Sequence, residues 1–219
     1  MYKGVIFDLD GTLLNTLFDL TEAINLTVKN YGVNNYSLEE VKKNIGWGWY
    51  ELVKRSLPQD AKEETIQEAL NVFAENYGRE YCNKTIPYDG IKELIDEIVK
   101  EKILIGVNSN KREDYTKKLI EINFKNIDLD FVLGKREDRK SKPDPESNLL
   151  LLKKMKLNKD EVLYVGDSLI DIETAKNSKL KVCSITWGFR DKKELTSGNP
   201  DYIVDNPKDI LKILKGEKK

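Results

Sequence analysis

Two carboxylates stand where the first apolar strand of the chain is predicted to end. Val5, Ile6 and Phe7 form an apolar run typical of a buried strand, and Asp8 and Asp10 follow it two residues apart. Ligands of open α/β sheets bind at the carboxyl ends of the strands. With no basic residue beside them, two such acids need a metal ion or shifted pKa values to lie close together. The spacing therefore predicts metal-assisted chemistry.

A second polar cluster follows the predicted strand 103–108. Ser109 and Asn110 come directly after this strand, at the predicted start of a helix that begins near Arg112. The first turn of a helix has free N–H groups that attract anions. A hydroxyl and an amide in such a place usually form a helix cap, but they also suit a bound anion.

Two further segments place charged residues beside predicted helix starts. Lys142 lies just ahead of a helix that Pro145 can begin. Asp167 and Asp171 follow the predicted strand 162–165, and their separation of four residues lets them face the same side of a helix start. Each of these residues alone would usually be a turn residue or a surface charge. Their occurrence at successive predicted strand ends indicates one site.

The composition excludes several classes of catalyst and partner. The chain has no histidine, so Ser-His-Asp and Cys-His mechanisms and histidine-bound zinc are ruled out. Cys82 and Cys183 have no disulfide-framework or metal-ligand spacing. The formal net charge is −1 and no basic stripe is present, so we expect no nucleic-acid partner. Without a membrane-length apolar run or a signal-peptide pattern, we expect a cytoplasmic protein that does not bind membranes.

The hydrophobic periodicity divides the chain into two parts. Helical periodicity without an intervening strand follows the first strand, over residues 17–31, 38–56 and 60–81. From residue 91 onward, helical and strand patterns alternate, which is typical of a parallel sheet with helices on both faces. We therefore predict an α/β core formed by residues 1–16 and 82–219, and an inserted helical domain over 17–81.

The polar residues together resemble the haloacid dehalogenase-like phosphatases, over nearly the whole chain. The four motifs of that family are matched in order by Asp8-Leu-Asp10-Gly-Thr12, by Ser109, by Lys142 and by Gly166-Asp167-Ser168-x-x-Asp171. The resemblance implies a Rossmann-like core of parallel strands with the segment 17–81 as an α-helical cap. It also implies an enzyme that hydrolyses phosphate monoesters.

The resemblance implies a role for each motif residue. Asp8 would attack phosphorus and form an aspartyl-phosphate, and Asp10 would serve as general acid and then as general base. Lys142 would offset the negative charge of the carboxylates and of the phosphoryl group. The residues expected to bind substrate are Thr12, Ser109, Asn110 and Lys111, together with Gly46 and Trp47 of the cap.

The implied cofactor is Mg²⁺. Its expected ligands are the carboxylates of Asp8 and Asp167 and the main-chain carbonyl of Asp10, with waters completing an octahedron. Asp171 belongs to the same acidic group, and we expect it to act through a water or through Lys142 rather than by direct ligation.

Three segments resemble the phosphoglycolate phosphatase branch of the family in particular: Ser109-Asn110-Lys111, Ile185-Thr-Trp187-Gly188-Phe189 and Pro200-Asp-Tyr-Ile-Val-Asp205. We therefore expect a small phosphorylated metabolite as substrate, with phosphoglycolate the leading one, and a monomer or homodimer. The cap loop Ile45–Tyr50 is unusually aromatic for a small anionic substrate, and Asn15 replaces the aspartate that is more common at that position.

Other functions remain open on the sequence alone. A broad sugar-phosphate or nucleotide phosphatase, or a pyrophosphatase, would differ only in the cap. A phosphoglucomutase-type mutase is less favoured, because Leu20 stands where that branch has a cap histidine and because Thr12 is typical of phosphatases. A non-catalytic binding protein is disfavoured by the intact motif positions.

Overall fold

The computed structural model describes residues 1–217, which form two compact units. The first unit combines Met1–Leu14 with Pro87–Lys219, and the second is Asn15–Ile86. The sequence predicted the boundaries at 16/17 and 81/82. The second boundary lies later because Asp19 accepts hydrogen bonds from the main-chain N–H groups of Lys84 and Thr85, so this stretch belongs with the helical unit.

A six-stranded sheet forms the centre of the first unit. Its strands are β1 (Gly4–Phe7), β4 (Leu104–Arg112), β5 (Val132–Lys135), β6 (Val162–Gly166), β7 (Lys181–Ile185) and β8 (Tyr202–Val204). They are arranged in the order β5-β4-β1-β6-β7-β8, and every neighbouring pair is parallel. β1 is fully buried, as its continuous apolar run predicts for the centre of a parallel sheet. Two short strands, β2 (Leu14–Asn15) and β3 (Ile86–Pro87), form a separate two-stranded sheet.

The register of the sheet aligns the strand ends that carry the predicted site. Phe7 of β1 pairs with Val107 of β4 and with Val165 of β6. The residues that follow these three positions therefore emerge at the same edge. The chain also crosses from one side of β1 to the other between β5 and β6, and such a switch point is where ligands of open parallel sheets bind.

Helices follow most strands of the first unit, as the α/β prediction requires. They are α5 (Ile91–Lys100), α6 (Glu113–Asn123), α7 (Glu146–Met155), α8 (Leu169–Ser178), α9 (Lys192–Ser197) and α10 (Pro207–Lys215). A buried cluster joins α7 and α8 to β1, β6 and β7 through Ile6, Leu151, Tyr164, Ile172 and Val182. The predicted α/β class with a parallel sheet is confirmed.

The second unit consists of helices, which are α1 (Leu17–Val28), α2 (Leu38–Asn44), α3 (Trp49–Ser56) and α4 (Glu63–Glu80). α1 packs against α4, and α3 packs against the same helix. Within residues 1–217, no helix combines the length and the apolar content that crossing a membrane requires.

The helical periodicity over 38–56 forms two helices that are separated within the predicted loop Ile45–Tyr50, because Gly46 and Gly48 have φ values of +119° and +88°, which an α-helix does not accommodate. Two details differ from the pattern-based expectations. The strand predicted to end at Asn108 continues to Arg112 through an irregular stretch in which the register with β5 shifts. Helix α9 was not predicted, because only Leu195 of its residues is buried and it shows no apolar periodicity.

Candidate active site

Lys142 lies at the centre of a buried charge cluster. Its Nζ is 2.7 Å from Oδ1 of Asp8, at the end of β1, and 2.7 Å from Oδ1 of Asp171, in the first turn of α8. All three residues are buried. Burial opposes the charge on Lys142, but the nearby Asp171 and Asp8 outweigh it and raise the pKa of Lys142 well above its usual value. The ammonium group therefore stays charged and bridges two acids that would otherwise repel each other.

Asp171 has a second structural role at the start of α8. Its Oδ2 accepts hydrogen bonds from the N–H of Ser168 at 3.1 Å and from its Oγ at 2.6 Å, and Ser168 Oγ accepts from the N–H of Asp171 in return. This reciprocal capping box fixes the carboxylate. With one oxygen on the cap and the other on Lys142, Asp171 is placed to support the site through the lysine.

Tyr164 is a member of the site that sequence reasoning missed. Its hydroxyl donates to Oδ1 of Asp171 at 3.0 Å and accepts from Lys142 Nζ at 3.4 Å. Burial raises the pKa of Tyr164 against the opposing charge of Lys142, so the hydroxyl remains a donor. The available signal was a tyrosine in the middle of an otherwise aliphatic buried strand, where its hydroxyl needs a partner.

Asp10 is paired with a different lysine. Nζ of Lys111 lies 3.0 Å from Oδ1 of Asp10, and the lysine side chain is almost completely buried. The second motif aspartate is thus separated from the Asp8 cluster and has a cation of its own.

Asp167 is held by the loops after β1 and β7. Its Oδ1 accepts from Oγ1 of Thr12 at 3.3 Å, and its Oδ2 accepts from the N–H of Phe189 at 2.7 Å. Gly11 has φ +87°, and a Cβ there would lie 2.4 Å from Oδ2 of Asp167. A Cβ on Gly188 would likewise lie 2.4 Å from Cβ of Asp167, so the two loops approach the carboxylate more closely than other residues allow.

Ser109 and Asn110 lie in the irregular last part of β4 rather than at a helix start, since α6 begins at Glu113. Oγ of Ser109 accepts from the N–H of Lys111 at 3.1 Å, which leaves its proton available for another acceptor. The Asn110 side chain is directed to the main chain of Lys142, accepting from its N–H at 2.8 Å and donating to its carbonyl at 3.2 Å.

The four acids of the site, of which Asp8, Asp167 and Asp171 are buried, outnumber its two buried lysines. Asp8, Asp10, Asp167 and Asp171 bring four negative charges, against one positive charge each from Lys142 and Lys111. The cation that also acts on Asp167, Arg190, pairs with Glu194 at 3.3 Å. Burial raises the pKa of Asp8 well above its usual value, and burial together with Asp171 raises the pKa of Asp167 to about 7.

This excess of two negative charges fits a divalent cation. Ligand oxygens of Asp8, Asp167 and Asp171 lie within 4.8 Å of one another, and all three residues are buried. Carboxylate oxygens are the ligands that hard divalent cations prefer. The side chain of Asp10 lies outside this group, on Lys111, which leaves its main-chain carbonyl as its predicted ligand atom.

The two predicted cap residues belong to the second unit and lie between α2 and α3. Gly46 takes its positive φ there, and the Trp47 side chain is 43% exposed, with the guanidinium carbon of Arg55 5.9 Å from its ring centroid. Trp49, two residues later, is buried edge-on against Phe73, with ring centroids 5.2 Å apart. The exposed tryptophan is thus Trp47, whereas Trp49 belongs to the core of the helical unit.

Comparison with known proteins places this chain among related hydrolases. The family described as haloacid dehalogenase-like hydrolase matches residues 5–185. A phosphoglycolate phosphatase from Aquifex aeolicus is 30% identical over 212 residues, covering 97% of this chain and 96% of that protein. The pyrophosphatase PpaX from Listeria innocua is 26% identical over 97% of this chain and 96% of its own length.

The solved structures agree with the sequence relatives. A protein from Lactobacillus delbrueckii subsp. bulgaricus, provisionally named a phosphoglycolate phosphatase, is 29% identical and superposes with a TM-score of 0.92 over 97% of this chain and 98% of that chain. The fold, the four matched motifs and these relatives lead to one conclusion. The chain belongs to the haloacid dehalogenase-like hydrolase family, in the branch similar to phosphoglycolate phosphatases, as its motifs predicted.

Proposed function

We propose that this phosphatase hydrolyses small phosphate monoesters with Asp8 as nucleophile, with the assistance of Mg²⁺, and that phosphoglycolate is its leading substrate. The observation that carries the proposal is the bridge from Lys142 to Asp8 and Asp171 at 2.7 Å each. This bridge fixes Oδ1 of Asp8 through a charged hydrogen bond and leaves the second carboxylate oxygen for the attack on phosphorus.

The reaction proceeds in two transfers. In the first, an oxygen of Asp8 forms a bond to phosphorus as the bond to the leaving oxygen breaks, and the protonated Asp10 gives its proton to that oxygen. In the second, ionised Asp10 takes a proton from a water molecule that attacks the same phosphorus, and the bond to Asp8 breaks to release phosphate. Lys111 stabilises the Asp10 carboxylate between the two transfers, at its distance of 3.0 Å.

The remaining residues bind and orient. Ser109 has a hydroxyl proton to donate to a phosphoryl oxygen, and Lys142 offsets the charge of the group that is transferred. Asp8, Asp167 and the main-chain carbonyl of Asp10 would hold Mg²⁺, with Thr12 and the N–H of Phe189 orienting Asp167. When bound, Mg²⁺ supplies electrostatic stabilisation of the phosphoryl oxygens. Gly46 and Trp47 of the cap are proposed to contact the leaving group.

A pyrophosphatase is the alternative with independent support, because the Listeria innocua pyrophosphatase PpaX matches the chain over nearly its full length. The two functions share the acids and lysines of the first unit and differ in the leaving group. The same first-unit residues would also serve a broad sugar-phosphate or nucleotide phosphatase.

The test is phosphate release from a panel of phosphoglycolate, pyrophosphate, hexose phosphates, nucleoside monophosphates and p-nitrophenyl phosphate. Each is assayed with Mg²⁺, with EDTA and with the variant Asp8→Asn. We expect phosphoglycolate to have the highest kcat/KM, and we expect turnover to disappear with EDTA and in the variant. Highest activity on pyrophosphate would establish the alternative. Release that persists in Asp8→Asn would contradict the nucleophile assignment.

A further inference from the structure

The catalytic lysine is carried by a loop in which a main-chain hydrogen bond, from the N–H of Asp144 to the carbonyl of Ser141 at 3.0 Å, spans Lys142 without including it. Lys142 lies between the end of β5 at Lys135 and the start of α7 at Glu146, in neither a strand nor a helix. The next residue, Pro143, has no N–H to donate, and Pro145 has none either. Yet the position of this loop decides whether the Lys142 ammonium reaches two carboxylates at once. Something outside the loop must therefore fix its main chain.

Two side chains from outside the loop do so: Nδ2 of Asn177 donates to the carbonyl of Pro143 at 2.9 Å, and Asn110 holds Lys142 itself. Oδ1 of Asn110 accepts the N–H of Lys142 at 2.8 Å, and its Nδ2 donates to the carbonyl of Lys142 at 3.2 Å. Both residues are buried, with 7% and 6% of their surfaces exposed. The Asn110 side-chain amide therefore pairs with both main-chain polar groups of Lys142, which lies 32 positions later in the sequence. Glutamine is the other residue with a side-chain amide, and it is longer by one methylene group.

We propose that Asn110 is a positioning residue, which holds the main chain of Lys142 so that its Nζ bridges Asp8 and Asp171. The inference deepens the proposed function and rests on it. It replaces the expectation that the Asn110 side chain binds the phosphoryl group directly. Ser109 and Asn110 are adjacent on β4 but have different roles. Ser109 contacts the substrate, whereas Asn110 fixes the position of Lys142.

Removal of the Asn110 amide leaves the N–H and the carbonyl of Lys142 buried without these partners. Unpaired buried main-chain groups are strongly disfavoured, so the loop shifts until they find water or another partner. A displacement of about 1 Å in a catalytic group can cost on the order of 100-fold in rate. The shift acts on the bridge to Asp8, so it affects turnover more than the binding of substrate.

The experiment compares wild type, Asn110→Ala, Lys142→Met and the double variant, all with Mg²⁺. Turnover of p-nitrophenyl phosphate gives kcat and KM, and isothermal titration calorimetry with inorganic phosphate gives affinity without requiring turnover. We expect Asn110→Ala to lower kcat about 10- to 100-fold with a much smaller change in KM. In the Lys142→Met background, adding Asn110→Ala should change phosphate affinity by less than about 2-fold, because the lysine it positions is gone.

A direct phosphoryl contact predicts a different result. In that case phosphate affinity falls by about 10-fold or more when Asn110→Ala is added to Lys142→Met, since a hydrogen bond to a charged group is lost in either background. That result, or an unchanged kcat in Asn110→Ala alone, overturns the proposal. Absence of wild-type turnover with every substrate would instead contradict the proposed function, and the phosphate titrations would still test Asn110.

Two further variants separate positioning from loss of fold. Asn108→Ala removes a buried amide from the same strand, but that amide bonds to Asn148 at 2.8 Å rather than to the lysine loop. We expect it to lower Tm and to leave kcat within about 3-fold. Should Asn110→Ala fail to fold, Asn110→Asp is the second variant. Its carboxylate still accepts from the N–H of Lys142, but it has no donor for the carbonyl of Lys142 and repels that oxygen. It should lower kcat in the same way, and a wild-type kcat in this variant also overturns the proposal.

Discussion

At the scale of single residues, two buried lysines form ion pairs with three of the four acids of the site. Lys142 joins Asp8 to Asp171, and Lys111 lies on Asp10. Removing one member of a buried charge pair is costly, because the partner is left without compensation in a medium of low polarity. Loss of Lys142 would therefore leave the buried Asp8 and Asp171 without the cation that they share.

Replacing Lys142 should stop turnover without unfolding the protein. We expect Lys142→Met to reduce kcat by about 100- to 1,000-fold, the range seen when one preorganised electrostatic donor is lost. Methionine keeps the length and apolar contacts of the side chain, so circular dichroism and the folded state should be retained. The matched control is Lys140→Met, whose lysine is exposed and lies 3.5 Å from Asp144. A kcat for Lys142→Met close to that of the control would contradict the role.

The raised pKa values predict an unusual pH dependence of stability in the absence of metal. Asp167 has a pKa of about 7 in the fold, against an ordinary value of 3.8. An acid whose pKa is raised by folding destabilises the fold when it ionises. The free energy of unfolding therefore falls as pH rises from about 4 to about 7. Asp8 shifts in the same direction. Because the chain has no histidine, it has no side chain whose unperturbed pKa lies between about 5 and 8.

Thermal unfolding in EDTA measures this dependence. One unit of pKa shift corresponds to about 1.4 kcal/mol, which in a chain of this size is about 3 °C. We therefore expect Tm to fall by about 3 °C or more between pH 5 and pH 8, and Asp167→Asn to reduce the slope. Saturating Mg²⁺ favours the ionised acids, so it should remove or reverse the fall of Tm with pH. An equal slope in wild type and Asp167→Asn would contradict the assignment.

At the scale of elements, sequence patterns identify strands and helices better than they identify irregular segments. The apolar runs of β1 and β6 are visible because both faces of these strands are buried. The extension of β4 beyond Asn108 was not visible, because its residues are polar and do not continue the apolar run. The motif positions located the acids and Lys142, but their partners depend on contacts between distant segments. The pairing of Asn110 with the Lys142 main chain is one such contact.

The start of the second unit offers a local test of element packing. Asp19 of α1 is buried and accepts hydrogen bonds from the N–H groups of Lys84 and Thr85, at 3.0 and 2.9 Å, and from Oγ1 of Thr85 at 2.7 Å. We expect Asp19→Ala to lower the free energy of unfolding by about 2–4 kcal/mol, since several hydrogen bonds to a carboxylate are lost. Hydrogen exchange at the amides of residues 84 and 85 should accelerate.

The control for this variant is Glu22→Ala. Glu22 lies on the same helix and pairs with Lys84 at 3.6 Å, but both side chains are largely exposed. Exposed ion pairs contribute little, so we expect a change of less than about 1 kcal/mol. Unchanged protection of the two amides in Asp19→Ala would show that residues 84 and 85 are held by other contacts.

At the scale of the whole molecule, the two units carry different kinds of residue. The acids, the lysines and Ser109 all lie in the first unit, and the glycine-rich aromatic loop with Trp47 lies in the second. The proposed division is that the first unit performs the phosphoryl transfer and the second discriminates between substrates. Relatives of the chain carry different names for their activity, one being a phosphoglycolate phosphatase and another a pyrophosphatase.

Two tryptophans test this division. Trp47→Ala should change the ratio of kcat/KM between two substrates by about 10-fold, which is typical when an apolar contact to a leaving group is lost. Its stability should change little, since the side chain is 43% exposed. Trp49→Ala should instead lower the free energy of unfolding by about 3–5 kcal/mol, because it empties a buried site beside Phe73 and Tyr77. Equal loss on every substrate in Trp47→Ala would contradict a role in discrimination.

The order of the strands has a consequence for how the protein folds during its synthesis. β1 is made first, yet its partners on either side begin at Leu104 and Val162, as the pairs of Gly4 show. The helices α1 and α4 pack together within residues 15–86. The inserted unit can therefore form its own contacts before the partners of β1 are synthesised. Until its partners are made, the buried apolar strand β1 is unpaired, a state prone to aggregation. Synthesis of β6 is therefore the step that gives β1 both neighbours and closes the window in which a chaperone would protect it.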